Sequence, residues 1–146
     1  MLDGLAVSFA VERLSPSERD RAIRQMRKTN HQLLEALERM DPDRACRLNM
    51  SFHEGLYAAA DSRVILTMTQ SSWNFFPVAF AVFYQMSARF EELRRKVYEE
   101  HEAILDAMET GDASAAVLAA QRHVRLSGER VFPNGTAQLY PSPGLL

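Results

Sequence analysis

One device recurs along this chain and narrows what it can become: a capping side chain followed at once by proline. Ser15-Pro16-Ser17-Glu18 puts serine at an N-cap, proline at the first helical position and glutamate at the third, so serine and glutamate satisfy each other's backbone donors. Asp41-Pro42-Asp43 repeats the device with an aspartate cap. Asp61-Ser62 and Thr110-Gly111-Asp112-Ala113-Ser114 are further breaks. Strand signals are nearly absent, and the one Asn134-Gly135 pair lies in a Pro-rich tail. The expectation is an all-α chain of antiparallel helices.

Six segments follow from these breaks: residues 2 to 13, 16 to about 40, 42 to 60, 63 to about 86, about 87 to 109, and 113 to 130. The fourth is apolar and aromatic almost all round, with Trp73, Phe75, Phe76, Phe80, Phe83 and Tyr84, which predicts a central position. Pro77 should kink or split it, because proline in an unbroken helix costs about 3 kcal/mol. Residues 131 to 146 carry Pro133, Pro141 and Pro143 and read as a tail that does not fold alone, leaving residues 1 to 130 as one domain. A chain of 146 residues is long enough to bury about 70% of its unfolded surface.

Charge removes several function classes. The net charge of −2, with 25% charged residues, gives no basic face for nucleic acid. No segment approaches the roughly 18 uninterrupted apolar residues of a membrane span. Cys46, the one cysteine, cannot form an internal disulfide, and no secretory leader is evident, so a cytoplasmic location is expected.

The residues with chemistry to offer are histidines. His101 lies eleven residues before Asp112 and His123 eleven residues after it, so an antiparallel hairpin turning at Gly111-Asp112 sets the two imidazoles opposite each other. Both fall on apolar stripes and should point inward. His53 stands four residues after Asn49, on one face of the third segment. Imidazoles converging from facing helices are how a bundle builds a metal site, with Asn49 as an oxygen donor and an open position for water or a carboxylate. Zinc or nickel suits such a set best. Because asparagine is neutral, a bound cation keeps its full charge and should attract an acidic small molecule. Against this stands the plain alternative that a histidine on an apolar face is a hydrogen-bonded core residue; three together make the two readings about even. His31, in a polar stretch, is expected on the surface.

Other conspicuous residues read as structural. The aromatic cluster has no interleaved basic residues, so it is core, pocket wall or dimer surface rather than a nucleic-acid platform. Arg94-Arg95-Lys96 is a solvated face offset by nearby glutamates. Cys46 reads as a small buried hydrophobe.

Three blocks make the chain resemble the FCD domain, the C-terminal effector-binding domain of FadR-type members of the GntR transcription regulators. Leu2-Asp3-Gly4-Leu5-Ala6-Val7 is similar to the family's first helix, and Asn49-Met50-Ser51-Phe52-His53 to its Asp/Asn-x-x-Phe-His motif. Glu100-His101-Glu102-Ala103-Ile104-Leu105-Asp106-Ala107-Met108, with Gly111-Asp112, Ala116 and His123, is similar to its last and most specific series. The resemblance implies a bundle of six or seven helices in which Asn49, His53, His101 and His123 surround a divalent metal, with a small organic acid bound beside it. It also implies a homodimer and a regulatory, non-enzymatic role. Two departures matter: Asn49 stands where many members have aspartate, which should weaken metal binding, and the winged helix-turn-helix that precedes this domain in the family is absent, so the chain should not itself contact DNA. Tyr57 and Tyr98, one turn from His53 and His101, and Asn74, the clearest polar group in the aromatic segment, are the expected effector contacts. The alternatives are a metal-dependent hydrolase and a metal-free dimerisation module. The hydrolase lacks an evident base, since Glu54, Glu100 and Glu102 each neighbour a histidine in sequence and so sit about 100° round the helix from it.

Overall fold

The computed structural model describes residues 2–73 and 90–131. Six helices make up these residues: α1 (Leu2–Arg13), α2 (Pro16–Glu38), α3 (Pro42–Ala59), α4 (Arg63–Trp73), α5 (Phe90–Thr110) and α6 (Ala113–Val131). The aromatic segment from residue 74, with Asn74 and Pro77, and the tail from residue 132 lie outside the described residues.

The caps form as the sequence dictates. Glu18 accepts from the Ser15 amide at 3.0 Å while Ser15 Oγ accepts from the Glu18 amide, so the capping box closes in both directions. Asp41 Oδ1 accepts from the Arg44 amide at 3.0 Å ahead of Pro42. Helix α2 ends at Glu38, two residues short of the expected limit near 40, because Met40 takes a left-handed backbone with φ of 55°. The Met40 amide then bonds Leu37 O and the Asp41 amide bonds Ala36 O, a Schellman closure made here by methionine instead of glycine.

Helices α1, α3, α2, α5 and α6 close into a ring, each packed on the next and α6 returning to α1, with α4 set against α1 and α3. Gly55 lets α2 and α3 cross closely, since a Cβ there would lie 2.7 Å from Met26 Cγ. The α5–α6 turn needs glycine at Gly111, whose φ of 77° strains any L side chain. Asp112 caps α6 by accepting from the Ala115 amide at 2.9 Å. The main core inside the ring joins Val7, Ile23, Phe52, Leu56, Ile104, Leu105 and Met108. Satellite clusters lie around Leu33 and Leu37 at one flank and around Tyr57 and Ile65 beneath α4.

Candidate metal centre

The ring brings three imidazoles together. His53 comes from α3, His101 from α5 and His123 from α6, and one ring nitrogen of each lies within 4.8 Å of the other two. The hairpin sets His101 and His123 with ring centroids 4.6 Å apart, and His53 lies 5.4 and 5.3 Å from them. All three are buried, His101 completely. Phe52, beside His53 in sequence, stacks flat on the His101 imidazole at 3.8 Å and fixes its plane. Asn49 is buried one turn before His53 on α3.

Each imidazole Nδ1 faces an oxygen from a different helix, hydrogen-bonded for His101 and His123 and at ion-pair distance, out of hydrogen-bond alignment, for His53. Asp3 Oδ2, in the first turn of α1, stands 3.1 Å from His53 Nδ1. Asn30 Oδ1, on α2, lies 2.9 Å from His101 Nδ1. Glu100 Oε2, on α5, lies 2.9 Å from His123 Nδ1. The oxygens of Asn30 and Glu100 are acceptors, so Nδ1 of His101 and of His123 carries the proton and Nε2 keeps its lone pair. The Nε2 of His101 is fully buried with no hydrogen-bond partner among the described residues. An orphaned buried nitrogen costs stability, and three imidazoles with ring nitrogens within 4.8 Å of one another are the donor set of a divalent transition ion, so the residues fit a metal.

The supporting oxygens are themselves braced. The Tyr57 hydroxyl donates to Asp3 Oδ1. Asn30 Nδ2 donates to Glu102 Oε1 at 2.8 Å and to Tyr98 O at 3.1 Å, which leaves its Oδ1 for His101. Arg130 grips Glu100 with both arms of its guanidinium, at 2.7 and 2.6 Å. Burial opposes the charge on Asp3, but His53 and the bonds from His53 and Tyr57 hold its carboxyl down at about 2. Burial likewise opposes charge on Glu100, and Arg130 and His123 outweigh it, again at about 2. Burial lowers His101 well below the ordinary imidazole value, helped by the neighbouring imidazoles, and lowers His123 against the pull of Glu100. Neutral imidazoles are the form that ligates metal.

The remaining expected residues are placed as follows. Tyr57 adjoins the centre through Asp3. The Tyr98 hydroxyl pairs with His31 Nδ1 at 2.9 Å, and its ring stacks on exposed His31. Asn74 lies outside the described residues. Cys46 is half-buried, and burial raises its thiol. Sequence reasoning did not find Asp3 or Asn30, and it set Glu100 and Glu102 aside as turned away from His101. Glu100 is turned away from His101, yet it faces His123 across the hairpin, and Glu102 meets Asn30 of α2. The mirror that pairs His101 with His123 also pairs position 100 with the neighbourhood of 123, so the signal for Glu100 was present; none existed for Asn30.

A family model, the FCD domain, matches residues 1–126. No curated protein matches. Among solved structures the chain is similar to E. coli McbR/YncC, with a TM-score of 0.69 at 21% sequence identity over 86% of this chain. It spans 62% of that chain's length, and the likeness is one of fold.

Proposed function

Since this chain belongs to the FCD domain family, we propose that it is the effector-sensing domain of a GntR/FadR-type transcription regulator, binding a small organic acid beside a divalent metal held by His53, His101 and His123. The observation that carries this reading is the convergence of three buried imidazoles whose ring nitrogens lie within 4.8 Å of one another, with Nδ1 of His101 and His123 committed to Asn30 and Glu100 and a His101 Nε2 that has no hydrogen-bond partner among the described residues. When bound, a divalent ion such as zinc or nickel would supply a positive centre that draws a carboxylate. The chain's own residues do the rest. Phe52 and the three oxygens hold the rings in one orientation, and Asn49 offers a neutral oxygen from the same face of α3. Tyr57, Asn74 and Tyr98 are carried as effector contacts, Tyr57 being the one that adjoins the centre.

A hydrolase is the weaker reading, because Glu100 and Glu102 are both engaged, with Arg130 and His123 in one case and with Arg27 and Asn30 in the other. Among the described residues no helix is long and apolar enough to cross a membrane. The regulator would act as a homodimer, with DNA reached through a separate winged helix-turn-helix domain.

Elemental analysis of purified protein tests the metal: about one divalent ion per chain is expected, lost in His101→Ala and His123→Ala. Absence of any divalent ion from every preparation, including one soaked in zinc and nickel, would sink it. A thermal-shift screen of organic acids tests the effector, since a ligand at 100 times its Kd stabilises by about 2.7 kcal/mol. That shift should vanish after chelation.

A further inference from the structure

The three supporting oxygens differ in charge. Asn30 is neutral, and the carboxylate of Glu100 is matched by Arg130. Asp3 is an anion 6% exposed whose partners are the Tyr57 hydroxyl and His53, with no Lys or Arg paired to it among the described residues. A buried carboxylate without a cation is costly unless its hydrogen bonds are good or a positive charge arrives nearby. Asn49 brings no charge to the donor set, so among the described residues Asp3 is the one uncompensated negative charge beside it. Its position at the first turn of α1 suits an anion, because helix amides point that way.

We infer that Asp3 is the positioning residue for His53: its carboxylate, 3.1 Å from Nδ1, favours the tautomer with the proton on Nδ1, supplies the negative charge that Asn49 lacks, and keys the first turn of α1 to the centre. Binding linkage makes the effect reciprocal. Whatever factor Asp3 adds to cation affinity, the cation returns to the Asp3–His53 contact and hence to the seating of α1. The cation part rests on the function proposed above; the tautomer part does not.

The test separates the two. In chelator-treated protein with nitrogen-15-labelled histidine, long-range proton–nitrogen correlation reads the His53 tautomer. Wild type should show the Nδ1–H form alone, Asp3→Ala a mixture, and Asp3→Asn the wild-type form, since an amide oxygen can accept as Asn30 does for His101. An unchanged tautomer in Asp3→Ala overturns the inference. Should Asp3→Ala not fold, Asp3→Asn decides: losing the charge should move the His53 Nδ1–H proton upfield, and an unmoved resonance overturns the inference. Zinc affinity by competition with a coloured chelator should fall about 10- to 100-fold in Asp3→Ala, with Asp3→Asn between. Equal affinity in wild type and Asp3→Ala refutes the positioning role while leaving the histidine centre intact. A wild type that takes up no zinc counts against the proposed function instead, and the tautomer alone then decides.

Discussion

Helices α2 and α5 are joined at two places by similar chemistry put to different ends. Toward the inside, Asn30, itself without solvent exposure, bridges fully buried His101 and the largely buried Glu102. Toward the outside, Arg27 gathers Glu102, Asp106 and Glu109 with its own side chain 29% exposed and those of Asp106 and Glu109 68% and 55% exposed. Glu102 belongs to both. The outer cluster has more ion pairs, yet water competes for every one, and exposed pairs contribute about 0 to 1 kcal/mol. The inner one has fewer bonds and no competitor, so each fixes an orientation and each loss strands a buried group. Exposure, not the number of charges, separates a site from a solvated face.

The largest expected effect is acid. Asp3 and Glu100 sit at about 2, below their unfolded values of 3.8 and 4.5, so their contribution is present above those values and lost as pH falls through them toward 2. Asp3 should account for roughly 2 kcal/mol and Glu100 for roughly 3 kcal/mol. His101 and His123, lowered from 6.5, add a loss that begins below 6.5, where unfolded imidazoles take protons and buried ones do not. Urea unfolding of chelator-treated protein from pH 8 to 3 should therefore show stability falling steadily below pH 6.5; a flat profile to pH 4 would contradict the buried network.

Asn30→Ala comes next, at about 3 kcal/mol in urea, because it leaves His101 Nδ1 without its acceptor and opens a void in the core. Arg130→Ala should cost about 2 kcal/mol by freeing Glu100 beside His123, and should loosen His123 more than His101 in imidazole nuclear magnetic resonance spectra. Asp106→Ala, at the outer cluster, should change stability by less than about 0.5 kcal/mol. Were Asp106→Ala to match Asn30→Ala, the contrast between the two regions would collapse.

Much of this was legible in the residues. Helix starts at Pro16, Pro42 and Ala113 follow from caps whose chemistry is complete within four residues, and the hairpin that opposes His101 and His123 follows from their equal distance to one turn. The end of α2 was misjudged because a left-handed methionine closes it, and no sequence rule favours methionine over glycine there. The fourth segment's course past residue 73 lies outside the described residues.

The sequence by itself determined the helices, their order and the inward faces that carry His53, His101 and His123, because helical periodicity and capping act over one or two turns. Only the tertiary structure decided which oxygens hold those imidazoles. Asp3 and His53 are separated by 50 positions and Asn30 and His101 by 71, and their meeting depends on how α1 and α2 are rotated and spaced against α3 and α5. Rotation and spacing are settled by packing of the whole ring, by close crossings such as Gly55 on Met26, and no local pattern records them.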